Sequence, residues 1–137
     1  MQKARMIQTD ATYKLTWQGY PFLVAGTSDA DYVFHPLAVA VTKGETEDDF
    51  AFLFRALHAR NLEWKPEILL ADASEAITNG FKAVFGEPDV RAMCFFHVVQ
   101  NVDKYLRRFS KKNRSAAQEL REDINVLQTS KSQQMFL

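Results

Sequence analysis

Several things are scarce in this sequence, and each scarcity narrows what the chain can be. A single cysteine, Cys94, has no partner for an intrachain disulfide and fits a reducing compartment. Seventeen basic residues balance seventeen acidic ones, so no net field draws the chain towards nucleic acid or a membrane surface. No apolar run approaches the roughly 18 residues that span a bilayer, and a membrane partner is not expected. The opening Met1-Gln2-Lys3-Ala4-Arg5 leads into a strand pattern and does not read as a signal peptide. There is no internal repeat and no low-complexity tract. What remains is an ordinary globular composition, 47% hydrophobic and 25% charged, with eleven phenylalanines to fill a core. At 137 residues the default is one domain, large enough to bury most of its apolar surface.

The hydrophobic period changes along the chain. Met6 to Thr9 is a short run ending at Asp10, and Tyr13, Leu15 and Trp17 alternate with Lys14 and Thr16, extending the strand pattern. Gln18-Gly19 predicts a turn, Phe22–Ala25 a strand covered on both faces, Ser28–Asp31 a second turn, and Leu37–Val41 a third strand. The period then becomes helical. Thr46 with Asp49 predicts a capping box, and Phe50, Leu53, Phe54 and Leu57 share one helical face. Ile68–Ala71 predicts a fourth strand. Ser74 opens a second helix with Ile77, Phe81, Val84 and Phe85 inward, stopped by Gly86 and Pro88. Val90–Phe95 predicts a fifth strand. Val98, Val102, Tyr105, Leu106 and Phe109 mark a third helix. Ser115 with Gln118 opens a fourth, with Leu120, Ile124 and Leu127 facing one way. Met135-Phe136-Leu137 begins a new apolar face after Ser132, which reads as a truncation.

The order β-β-β-α-β-α-β-α-α is that of a ribonuclease H-like α/β fold with a mixed sheet, C-terminally truncated here. In that arrangement the first strand lies beside the fourth. Asp10 and Asp72, each at the end of an apolar run, would then be neighbours. A carboxylate at the mouth of a buried strand needs a partner: a hydrogen-bond network, a basic side chain or a metal ion. Two such carboxylates side by side could hold divalent cations for phosphoryl transfer. From its position alone, between a strand and a helix, Asp72 reads first as a helix N-cap. Asp10 does not, because aspartate is depleted inside strands and the strand pattern continues past it.

Taken together, these segments resemble one family. Gln8-Thr9-Asp10-Ala11-Thr12-Tyr13-Lys14 is similar to the first-aspartate motif of Mutator-like (MULE) transposases. Phe34-His35-Pro36-Leu37-Ala38 with Glu45-Thr46-Glu47 resembles the strand and helix entry that follow. Leu70-Ala71-Asp72-Ala73, leading to Ala83-Val84-Phe85-Gly86, resembles the second-aspartate segment. Met93-Cys94-Phe95-Phe96-His97 resembles the Cys-x-x-His element. The resemblance covers residues 5 to 110 and implies a cut-and-paste DNA transposase of the DDE type, acting in the nucleus. Residues 1–110 would be the catalytic core and 111–137 a helical extension. Asp10 and Asp72 carry over as the first two ligands of two Mg2+ (or Mn2+) ions, and His97 and Cys94 as active-site residues. His97, at a helix start, would lie beside the scissile phosphate. The third carboxylate, a glutamate, is expected downstream; Glu119 and Glu122 sit close to the Cys-x-x-His element for that role.

Other readings of these residues compete with the family's. Cys94 and His97 supply two of the four ligands that structural zinc needs, and the chain has no second cysteine. Cys94 also reads as a small buried hydrophobe at a strand end. Lys104, Arg107, Arg108, Lys111, Lys112 and Arg114 gather six of the 17 basic residues. They predict a DNA phosphate grip, of which Lys104, Arg107, Arg108, Lys111 and Lys112 are the chief candidates, or a solvated helix face. Arg107-Arg108 with Lys111-Lys112 also forms a weak nuclear import signal. DNA, as transposon ends and target, is the expected partner, with a homo-oligomer as a further expectation. Two rival functions remain: a catalytically dead, transposon-derived domain that binds DNA or protein, and a ribonuclease H-like nuclease.

Overall fold

The computed structural model describes residues 4–12, 15, 17–109 and 113–129. It divides into two compact units, Met1–Met93 and Cys94–Leu137, each described by itself below.

The first unit is a five-stranded sheet with two helices. Its strands are β1 (Met6–Thr12), β2 (Phe22–Ser28), β3 (Phe34–Val41), β4 (Ile68–Ala71) and β5 (Val90–Met93). Helix α1 (Glu47–Arg60) joins β3 to β4, and α2 (Glu75–Phe85) joins β4 to β5. The sheet order is β3-β2-β1-β4-β5. The first three strands form an antiparallel meander, and β4 and β5 add in parallel beside β1. This is the ribonuclease H-like order expected from the sequence, with the first strand beside the fourth.

Alternation along β1 and β4 decides which face is buried. Ile7 and Thr9 on β1, and Leu69 and Ala71 on β4, point into the core. There they meet Phe50, Leu53, Phe54 and Leu57 of α1 and Ile77, Phe81 and Phe85 of α2, all buried as the helical period predicted. Phe54 meets Phe81 and Phe85 edge-on, with ring centroids 5.7 and 6.1 Å apart, a favoured aromatic geometry. Thr9 is buried and polar, and its Oγ1 donates to Val24 O at 2.8 Å, so its burial leaves no unmet hydroxyl. The capping box at Thr46 is present: Asp49 N–H donates to Thr46 Oγ1, and Thr46 N–H donates to Asp49 Oδ2.

Gly80 sets how closely α1 and α2 approach. A Cβ placed there would lie 2.7 Å from Phe50 Cβ and 2.9 Å from the backbone of Ala51 and Glu47. Only glycine allows this close backbone contact.

The sheet departs from the sequence reading at its first turn. β1 ends at Thr12, so the alternation through Leu15 and Trp17 is not strand: Leu15 and Trp17 are exposed turn residues. The pairing partner explains it, because β2 begins at Phe22, opposite Thr12, and offers no backbone beyond. Tyr13, Lys14 and Thr16 lie outside the described residues. β5 also ends early, at Met93, because Phe95 already starts a helix.

The second unit holds α3 (Phe95–Phe109) and α4 (Arg114–Thr129). Their contact runs through Leu106 and Ala117, both buried, with Val99, Val102 and Ile124 beside a small cavity. Tyr105, expected inward, is exposed, because it lies a quarter-turn off the Val102–Leu106 stripe. Leu120 and Leu127 are likewise exposed on α4, while Ile124 is half-buried. The expected cap at Ser115 is not used: α4 starts at Arg114, and the carbonyl of Asn113 accepts the N–H of Ala117. Ser132 and Met135–Leu137, like Lys111 and Lys112, lie outside the described residues. Among the described residues no helix is long and apolar enough to cross a membrane.

Candidate metal centre at the ends of β1 and β4

Asp10 and Asp72 converge through strand register. β1 and β4 pair in parallel as Met6 with Ile68, Ile7 with Leu69 and Gln8 with Leu70. Continued by two residues, that register sets Asp10 level with Asp72. Adjacent strands are about 4.8 Å apart. Both aspartates alternate with buried neighbours, Thr9 before Asp10 and Ala71 before Asp72, so both fall on the sheet face away from α1 and α2. Asp10 is exposed and Asp72 half-exposed, so both carboxylates are reachable from solvent.

Each aspartate is fixed by backbone. Asp10 sits inside β1 opposite Val24, and its Oδ1 accepts the N–H of Ala11 at 2.8 Å. Asp72 directly follows β4, and its Oδ1 accepts the N–H of Ser74 at 2.9 Å. This settles the N-cap alternative in a specific way. Ser74, not Asp72, is the N-cap of α2, and Ser74 makes no side-chain capping bond. Asp72 forms an Asx turn that launches the helix, using one of its two carboxylate oxygens.

Arg91, on β5, holds the same turn from behind. Its Nη2 donates to Asp72 O in a short hydrogen bond. Its Nη1 donates to Ala71 O at 3.3 Å and Ala92 O at 2.6 Å, and its Nε to Thr78 Oγ1 at 3.0 Å. Burial lowers the Arg91 pKa from its ordinary value, and the Asp72 charge works against that. The guanidinium thus grips the backbone on both sides of the β4 end and ties it to α2. The sequence reading passed over Arg91. The signal was there: a charged residue inside a short strand needs partners.

The other sequence candidates are placed as follows. Cys94 follows β5, is half-buried, and is a free thiol. Its carbonyl accepts the N–H of His97 at 3.1 Å and of Val98 at 3.2 Å. Cys94 therefore begins α3 and His97 lies in its first turn, which is the helix start expected for that histidine. Lys104, Arg107 and Arg108 are exposed on α3. Glu119 and Glu122 are exposed on α4, where Glu122 accepts from Gln118 Nε2 at 3.2 Å. Among the described residues, no group of three or more His, Cys, Asp or Glu side chains is poised to hold a metal ion. The Asp10–Asp72 pair supplies two carboxylates. Magnesium commonly takes one or two carboxylates, with water and substrate oxygens completing its shell, so the pair fits that ion.

Comparison with known proteins identifies the family of the chain. No curated protein matches the chain. Among solved structures, the catalytic core domain of HTLV-2 integrase, described in complex with magnesium and in a trimeric form, aligns at a TM-score of 0.44 and 15% identity. That alignment covers 82% of this chain and 76% of the integrase chain. The model of the MULE transposase domain matches residues 6–101, a span that runs from the start of β1, through both aspartates and the Cys-x-x-His element, into α3. The chain belongs to the MULE transposase domain family.

Proposed function

We propose that this chain is part of the catalytic core of a cut-and-paste DNA transposase, with Asp10 and Asp72 as its first two metal-binding carboxylates. The observation that carries the reading is the β1–β4 register, which levels two aspartates on one open sheet face inside a transposase-family domain. Divalent cations bound there, Mg2+ or Mn2+, would activate the attacking oxygen and stabilise the leaving oxygen at a DNA phosphate.

The chain's own residues do the positioning. Asp10 is held by its strand, and Asp72 by the Ser74 N–H and the Arg91 clamp on its carbonyl. Each then offers carboxylate oxygen towards one side of the sheet. His97, in the first turn of α3, is suited to an anion, since helix starts favour negative charge. Cys94 sets that turn through its carbonyl. Residues 1–110 form the catalytic part in this reading and 111–137 a helical extension. DNA is the partner, and Arg107, Lys111 and Lys112 are its candidate phosphate contacts, while Lys104 and Arg108, exposed on α3, fit the solvated helix face that the sequence also allowed. The nucleus is the location that the family reading suggests, and assembly on paired transposon ends would call for a homo-oligomer.

Two carboxylates alone hold magnesium weakly, so these 137 residues are expected not to cut DNA by themselves. The test is a labelled duplex incubated with the chain and Mg2+ or Mn2+, beside Asp10→Ala and Glu122→Ala. No cleavage is expected. Cleavage lost on Asp10→Ala would show that the third ligand is already present, and loss on Glu122→Ala would identify it. Cleavage that survives Asp10→Ala would contradict the assignment of Asp10.

A further inference from the structure

The hairpin of α3 and α4 gathers arginines where its apolar seam ends. A groove of about 370 Å3 lies between the helices, lined by Leu106, Arg107, Arg114, Ala117, Gln118 and Arg121. Leu106 and Ala117 form its buried floor. Arg114 and Arg121 are seven residues apart on α4, two turns along one stripe, and Arg107 faces them from α3. Three guanidinium groups on one small cavity repel one another unless anions intervene. The hairpin supplies one: Asp103 Oδ1 accepts from Arg121 Nε at 2.6 Å. Lys104 and Arg108 differ. A helical period places both on the side of α3 opposite Leu106, away from the groove, and both are exposed. The basic run that looks continuous in sequence is thus split between a groove and a solvated face.

We propose that the Arg107–Arg114–Arg121 groove seats a phosphate of the DNA backbone, with Asp103 as a built-in counter-ion that the phosphate displaces from Arg121. A planar guanidinium matches phosphate oxygens with two parallel N–H donors, and three of them around one cavity match a single tetrahedral anion. The carboxylate of Asp103 keeps Arg121 in place while the groove is empty and competes with the ligand for the same donors. Sequence identifies Arg107 and Arg114 as basic-run members. Only the fold adds Arg121 and Asp103.

This proposal rests on the reading of the chain as a DNA-handling core, but its test is independent of the carboxylates. Binding of the 137-residue chain to a short labelled duplex is followed by fluorescence anisotropy in EDTA, over a series of salt concentrations. Arg114→Gln and Arg121→Gln are compared with the charge-matched Lys104→Gln and Arg108→Gln. Each groove variant is expected to weaken binding about tenfold and to lower the salt slope by about 1, the signature of one lost phosphate contact. The outward variants should change affinity less than about twofold at physiological salt. Asp103→Asn should tighten binding by about twofold to fivefold, because a competitor is removed. Arg114 makes no ion pair with Asp103, so its variant carries the test even if Arg121→Gln loosens the hairpin. Equal losses from groove and outward variants would overturn the proposal in favour of diffuse charge. So would weaker or unchanged binding in Asp103→Asn. Displacement of the duplex by inorganic phosphate supports the seat, whereas phosphate binding without duplex binding would overturn DNA as its ligand. Failure here leaves the Asp10–Asp72 reading standing, because no divalent cation is present in the assay.

Discussion

Replacing Gly80 by alanine sets two physical effects against each other, and the structure decides the sign. Gly80 lies in the interior of α2, where intrinsic propensity favours alanine by about 1 kcal/mol. An alanine Cβ there would lie 2.7 Å from Phe50 Cβ and 2.9 Å from both Ala51 N and Glu47 O. Ordinary carbon–carbon contact is about 3.5–4.0 Å, so α1 would have to retreat by roughly 1 Å. Two of the three atoms are backbone, so no side-chain rotation relieves the clash. That retreat would open the packing around Phe50, Phe54 and Phe81, which are fully buried. Overpacking of this kind costs typically about 1–3 kcal/mol, enough to exceed the propensity gain. The expected outcome is a net destabilisation of about 1–2 kcal/mol, read from the urea midpoint at an unchanged m-value. A midpoint that rises would show that α1 and α2 do not meet at Gly80, and the core description would be wrong there.

Three further outcomes follow from the same contacts. Phe54→Ala should cost about 3–5 kcal/mol in urea unfolding, and a loss below about 1 would refute the α1 face. Arg91→Met removes the donors to Ala71 O, Asp72 O and Thr78 Oγ1, and should cost about 2–3 kcal/mol. Arg91→Lys should recover only part of this, since one ammonium cannot span those acceptors; full recovery would refute the clamp. Asp29 is held below its ordinary value of 3.8 by a hydrogen bond from His35, then by the Val33 and Asp31 N–H groups. A depressed carboxylate contributes stability above its unfolded value and loses it as pH falls through the folded value. The stability difference between the chain and Asp29→Asn should therefore be present near neutral pH and vanish in acid below the ordinary value; a difference that grows in acid would contradict the assignment.

The parts of the fold most legible in the sequence were those where one chemical pattern had one solution. The face Phe50, Leu53, Phe54 and Leu57 with a Thr46 cap admits only a helix start, and it was found there. The adjacency of Asp10 and Asp72 followed from element order, because a meander followed by a parallel crossover leaves β1 open to β4. Alternation at Leu15 and Trp17 misled because a strand needs a partner as well as a pattern, and β2 supplies none past Phe22. The helical hairpin was legible as two helices but not as a pair of faces. Its seam uses the small Ala117 and a half-buried Val102, while Tyr105, Leu120 and Leu127 stay exposed. Arg91 was missed because three of its four partners are backbone carbonyls, which no residue type announces. Asp103 and Arg121 are 18 residues apart and meet only once both helices pack.

The central claim is that Asp10 and Asp72 act as one divalent-cation site, and Mn2+ binding measures it most directly. Titration followed by electron paramagnetic resonance reports free Mn2+ without any need for catalysis. Asp10→Asn and Asp72→Asn keep size and hydrogen bonding while removing one charge each. Weak binding is predicted for the unaltered chain. Each single variant should reduce it by about tenfold or more, and the double variant should lose little beyond either single one, as expected for two ligands of one site. Binding that ignores both substitutions, or that depends on only one of them, would contradict the account.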